Sequence, residues 1–209
     1  HFHPFRVTPR LVVKPSWESC RTKPGDIVVE LDPGMSFGTG YHGTTRACME
    51  FLDELSSTVG AVPLLDAGCG SGILSLTACK LGFNPVHAFD HDPQAVQAAE
   101  ENLREARLYD AVQLSRASLA DYRPPVSFRV VVANILASVL LNNAARLVNV
   151  LDDNRGAAYL ILAGILHDQY PAVRAQFEQL GLREVRRRNI DEWASGLFES
   201  TGHDADMRP

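Results

Sequence analysis

The chain has 209 residues, 45% apolar, 8% aromatic and 22% charged. This ordinary globular usage excludes collagen, low-complexity sequence and disorder. Its 20 Lys and Arg against 25 Asp and Glu leave a net charge of −5, which argues against nucleic-acid binding through bulk charge.

No apolar run approaches the ~18 residues that a membrane-spanning helix needs. His1-Phe2-His3-Pro4 offers neither the charged start nor the apolar stretch of a signal peptide. Cys20, Cys48, Cys69 and Cys79 form no CxxC pair and the seven histidines are scattered. These features are expected of reduced thiols in a cytoplasmic protein without a metal centre.

In chain order, Leu11–Val13 and Ile27–Val29 are short strands set among prolines, and a Gly-rich turn from Gly34 to Gly40 follows. Ala47, Phe51 and Leu55, spaced by four, predict a helix from about Thr44 to Leu55. From residue 62 strand alternates with helix. Val62–Asp66 reads as a buried strand, Ile73–Leu81 as a helix closed by Gly82, and Val86–Phe89 as a strand ending at Asp90.

Asp92-Pro93 opens a helix with Val96, Ala99, Leu103 and Ala106 on one face. Ala111–Leu114 and Arg129–Ala133 are strands, and Leu140, Ala144, Leu147 and Leu151 mark one helix. Strand Ala158–Ala163 precedes a helix marked by Val173, Phe177 and Leu180. Leu182–Arg188 and a run near Leu197-Phe198 then close the chain as two strands. The pattern predicts an α/β protein with a mostly parallel sheet, helices on both faces and a C-terminal antiparallel hairpin.

The chemistry concentrates in Asp66-Ala67-Gly68-Cys69-Gly70-Ser71-Gly72, between the first buried strand and its helix. Ligands of open α/β sheets bind at the carboxyl ends of strands. A dinucleotide fingerprint is GxGxxG, whereas counting from Gly70 lands on Ile73 where the third glycine belongs. The observed GxGxG, preceded by an acidic residue, suits an amino-acid-bearing nucleoside. Asp90, 18 residues after Gly72, stands where a carboxylate accepts from both ribose hydroxyls. Asn134 follows the Val-rich strand at the same edge and is a candidate to contact the cofactor or orient an acceptor nitrogen. Capping the next helix is the plainer alternative. Arg183, Arg186, Arg187 and Arg188 read as charges that keep an edge strand soluble; a docking surface is the alternative.

DPGMSFGTGYHGTT, LLDAGCGSGIL, AFDHDPQAV and VVVANILA, in this order and spacing, resemble the ribosomal protein L11 methyltransferase (PrmA) family, as do Ala163–Leu166 and Asp191-Glu192-Trp193. The likeness runs from about His3 to Trp193. The glycine loop is common to class I methyltransferases, while the first and last of the four segments are more specific. The resemblance implies a Rossmann-like class I methyltransferase fold with a seven-stranded sheet. It also implies S-adenosyl-L-methionine (SAM) as cofactor, S-adenosyl-L-homocysteine as product, and transfer to a protein amine of a substrate such as a ribosomal protein.

By motif, Thr45, Gly68, Asp90 and Asn134 are expected to contact the cofactor, with Phe37, Gly38 and His42 on the loop over its methionine end. Gly70 is expected to allow close approach, Asp66 to act through the loop or a water, and Asn134 to orient the amine. Tyr41 and Gly43 depart from the usual family residues. Residues 1–41 are expected to form an N-terminal extension and covering loop, and 42–209 the methyltransferase domain, one compact unit overall, without the family's N-terminal substrate-recognition domain. Other readings on the same fold are an RNA or small-molecule methyltransferase and a SAM-binding module without activity.

Overall fold

The computed structural model describes residues 3–32, 43–154 and 156–200. Three short strands come first: β1 (Phe5–Arg6), β2 (Leu11–Lys14) and β3 (Ile27–Glu30). β1 pairs antiparallel and β3 parallel to β2. Arg6 holds this small sheet to the turn before β3 through two guanidinium hydrogen bonds to the Asp26 carboxylate, at 2.8 and 2.7 Å. That pairing lowers the Asp26 pKa to about 2.

Helix α1 (Gly43–Val59) then leads into β4 (Leu64–Ala67), α2 (Ile73–Lys80) and β5 (Val86–Asp90). Helix α3 (Pro93–Glu105) starts as the sequence predicts: the Asp92 carboxylate accepts from the Gln94 amide at 2.9 Å, with proline at the first helical position. Its buried face is Ala95, Ala99 and Leu103, with Val96 only half-buried. Strands β6 (Val112–Arg116) and β7 (Val130–Asn134) follow.

The single helix predicted through Leu151 is two, α4 (Ala137–Asn142) and α5 (Ala144–Asn149). Asn143 breaks it, at φ −123° and ψ 16°, and Leu151 instead bridges Phe128 beside the sheet. Strand β8 (Tyr159–Leu166), helix α6 (Tyr170–Gln179) and the hairpin β9 (Leu182–Ile190) and β10 (Trp193–Ser200) complete the fold.

The large sheet has the order β6-β5-β4-β7-β8-β10-β9, parallel except where β10 runs against β8 and β9. The chain therefore reverses direction across the sheet between β4 and β7, which opens a crevice at their carboxyl ends.

Period-two alternation sorts each strand's side chains between two cores. Leu64, Val130, Val132 and Ile161 face α1, α2 and α3, whereas Leu65, Val131, Ala133 and Leu160 face α4, α5 and α6. The small N-terminal sheet joins the first core through Leu11, Val13 and Val29. Every residue of α2 from Ile73 to Ala78 is consequently buried, and its two polar members there are hydrogen-bonded, Ser75 to the Asp66 carboxylate and Thr77 to the Ile73 carbonyl.

The arginines of β9 are ion-paired: Arg183 with Glu199, Arg186 with Glu54, Arg187 with Glu184, and Arg188 with Glu50. Arg186 and Arg188 clamp the edge strand onto α1, and the Arg188 guanidinium lies 5.3 Å from the centre of the Phe51 ring. β9 is the edge strand of the sheet, as expected of the cluster, and its exposed charges are organised into ion pairs. Arg188→Ala is expected to cost about 1 kcal/mol, a fall of about 2–4 °C in a thermal melt. An unchanged melt would mean the clamp contributes nothing.

Candidate active site at the carboxyl ends of the parallel strands

Gly68, Gly70 and Gly72 all take positive φ, at 77°, 53° and 79°. At Gly68 the requirement is also spatial, because a Cβ there would lie 2.5 Å from Cγ2 of Ile135. The loop is held from below by the end of β5. The Phe89 carbonyl accepts from the amides of Gly68 and Cys69 at 2.9 and 3.0 Å. Asp90 Oδ2 accepts from the Gly70 amide at 3.0 Å and Oδ1 from the Asp92 amide at 3.0 Å. Asp90 thus sits at the site and also braces the loop, a second duty that its sequence position did not disclose.

Asp66 occupies an even position of β4, so it points toward α2 rather than into the opposite core. Oδ2 accepts from the Ser75 hydroxyl at 2.7 Å, while the buried Oδ1 has no hydrogen-bond partner among the described residues. Burial raises its pKa to about 7, partly offset by the hydrogen bonds from Ser75. Between pH 4 and 7 the folded chain therefore holds a proton that the unfolded chain has released, so stability falls as pH rises through that window. Asp66→Asn is expected to flatten this dependence, with the wild-type deficit at pH 8 relative to pH 5 amounting to roughly 2–4 kcal/mol. Urea denaturation of both proteins at the two pH values checks it. Parallel pH profiles would refute it.

Asn134 ends β7 at an even position, on the α1 side. Its Nδ2 donates to Oγ1 of Thr45, buried in the first turn of α1, at 3.3 Å. With Nδ2 so engaged, Oδ1 is the acceptor left to the crevice. The peptide of Ile135 is wedged between two glycines: Gly68 meets its side chain, and a Cβ at Gly164 of β8 would lie 2.5 Å from its carbonyl oxygen.

Among the expected site residues the fold brings together Gly68, Gly70, Asp90, Thr45 and Asn134, with Asp66 beneath the loop. Phe37, Gly38 and His42 lie outside the described residues, as does the expected boundary between 41 and 42. Gly43 is explained by crowding, since a Cβ there would come within 2.7 Å of Ile190 Cγ2. Ser75, Ile135 and Gly164 were not among the candidates. A glycine inside the apolar strand YLILAGIL was the available signal for a close backbone approach.

Residues 1–200 match the family described as ribosomal protein L11 methyltransferase (PrmA). The chain belongs to the ribosomal protein L11 methyltransferase family. A relative from Geobacter metallireducens named ribosomal protein L11 methyltransferase is 44% identical over 200 residues, covering 96% of this chain and 64% of its own length. One from Geotalea uraniireducens is 41% identical over 204 residues, covering 93% and 63%. The chain therefore spans just under two thirds of these relatives. The crystal structure of ribosomal protein L11 methylase from Lactobacillus delbrueckii subsp. bulgaricus superposes with a TM-score of 0.82 at 30% identity, over 94% of this chain and 98% of that one. The N-methyltransferase NodS from Bradyrhizobium japonicum, solved with S-adenosyl-L-homocysteine, shares the fold at a TM-score of 0.61 and 15% identity, over 78% and 90%. These matches bear out the expected family and the seven-stranded methyltransferase fold.

Proposed function

We propose that the chain acts in the cytoplasm and transfers a methyl group from SAM to an amine of a ribosomal protein; the names of its relatives support the methyl transfer and the ribosomal substrate. The observation that carries this reading is the anchored amide of Asn134, whose Nδ2 is held by Thr45 beside the glycine loop. The residues fit the cofactor. The glycine cradle has no room for a Cβ at Gly68, Asp90 offers its carboxylate to a ribose, and the orphaned Asp66 Oδ1 suits a cationic amino group, directly or through water.

SAM, when bound, supplies an electrophilic methyl on a sulfonium. The protein's task is then to present a neutral amine in line with that methyl, and orientation of this kind supplies on the order of 7–11 kcal/mol. Asn134 Oδ1 accepts an N–H of the amine and directs its lone pair into the crevice. A lysine must lose its proton first, and desolvation lowers an ammonium pKa without a dedicated base. Residues 130–145 carry no Asp, Glu, Lys or Arg, so this wall of the site offers the ammonium no stabilising charge.

The test incubates the chain with methyl-labelled SAM, purified ribosomal protein L11, RNA and a metabolite extract. Label is expected in the protein. Asn134→Ala is expected to lower kcat by about 100-fold, as loss of a positioning contact does, while keeping most of the affinity for S-adenosylhomocysteine. Label confined to RNA or metabolites would overturn the acceptor class. Tight binding of S-adenosylhomocysteine with no label anywhere would leave a binding module.

A further inference from the structure

Two residues beyond Asn134, the chain exposes a large apolar side chain. Leu136, at the start of α4, is 68% exposed, and Val139 one turn later is 36% exposed. Their neighbours Ala137 and Leu140 are fully engaged in the core, so α4 is already anchored and does not need these two for packing. The Val139 amide donates to the Leu136 carbonyl at 3.0 Å, which fixes both side chains on the same first turn. Leu136 stands at the carboxyl end of β7, on the backbone that positions Asn134, and so lies beside the place where an amine meets Oδ1.

We infer that Leu136 and Val139 form a platform for apolar side chains flanking the acceptor amine of a protein substrate, and so help select which amine is methylated. This rests on the proposed reading of the site as a protein amine methyltransferase. Charge favours this occupant over a basic or acidic segment. The stretch 130–145 is uncharged throughout, and its polar members Asn134, Ser138, Asn142 and Asn143 are neutral. An apolar segment loses nothing on meeting such a surface, whereas a charged one gives up hydration without a partner. Seating apolar groups there also strips water from the neighbouring amine, which lowers its pKa and raises its neutral fraction.

The test uses two peptides with the same acceptor lysine, one flanked by Leu and Val and one by Ser and Gly. These are offered to the wild type, to Leu136→Gln and to the double variant with Val139→Gln. Both side chains are exposed, so the substitutions are expected to leave the melt within a degree or so of wild type. Wild type is expected to favour the apolar-flanked peptide by about tenfold in kcat/KM, chiefly through KM. The double variant is expected to treat the two alike, with affinity for S-adenosylhomocysteine unchanged and the rate on the Ser/Gly peptide unaltered. Equal use of both peptides by wild type, or a preference surviving in the double variant, would overturn the platform while leaving amine methylation standing. Transfer to neither peptide nor to the intact ribosomal protein would overturn the acceptor class and the platform with it.

Discussion

Asp90→Ala is expected to reduce the affinity for S-adenosylhomocysteine by about 100-fold or more, since it deletes at least two hydrogen bonds to a charged group worth about 1.5–3 kcal/mol each. One set of contacts is the proposed one to the ligand, in which the carboxylate accepts from both ribose hydroxyls. The other is internal: Oδ2 holds the Gly70 amide and Oδ1 the Asp92 amide. Removing the side chain therefore also frees the glycine loop and the start of α3, and a calorimetric titration would register both. Asp90→Asn weakens both in part. An amide presents a single acceptor oxygen, so it is expected to keep one of the two internal bonds and to bind the ribose less well, giving an affinity and a melt both intermediate between wild type and Asp90→Ala. An Asp90→Ala protein that bound as tightly as wild type would remove Asp90 from the site.

What the sequence disclosed of this arrangement follows from how local each signal is. The spacing Gly68, Gly70, Gly72 and the Asp92-Pro93 helix start are written within a few residues, and the structure has them where they were expected. Asn134 was legible because a Val-rich run must be a buried strand and the residue after it must emerge at the carboxyl edge. The contact that gives Asn134 its orientation was not legible, because Thr45 lies 89 residues away. The clamp of Arg188 on Glu50 spans 138 residues and was hidden for the same reason.

The predicted helix through Leu151 failed differently. Its apolar spacing was real, but Asn143 leaves helical geometry, so both halves keep their buried faces, Leu140 and Leu147, without sharing one axis. The charge state of Asp66 depends on burial on both sides of β4, which no spacing in the sequence reports.

Gly164→Ala is expected to be among the most damaging single substitutions in the chain, although the residue stands outside the glycine loop. Gly164 has φ 80°, in a region that residues with a Cβ enter at a cost of roughly 1–2 kcal/mol. The added carbon would also lie 2.5 Å from the Ile135 carbonyl oxygen, 3.0 Å from its carbonyl carbon and 3.1 Å from its nitrogen. Those are backbone atoms, so no side-chain rotation relieves the clash, and overpacking of this kind costs a further 1–3 kcal/mol or so. Neither β7 nor β8 is free to separate, because the two are paired up to Asn134 and Ala163 and the Ile135 amide donates to the Ala163 carbonyl at 3.2 Å. The peptide of Ile135 must then shift, and Asn134 shifts with it relative to Thr45.

The expected result is a loss of about 3 kcal/mol in denaturant unfolding, with a fall in kcat larger than the loss of folded protein explains. Affinity for S-adenosylhomocysteine should suffer less, because Asp90 and Gly70 belong to the other side of the crevice. Gly25→Ala provides the contrast: that glycine also has positive φ, at 88°, but nothing lies within 4 Å of a Cβ placed there. It should cost only the backbone strain of roughly 1–2 kcal/mol and leave kcat intact. Equal effects from the two substitutions would show that φ alone matters, and that the close approach of Ile135 to Gly164 does not position Asn134.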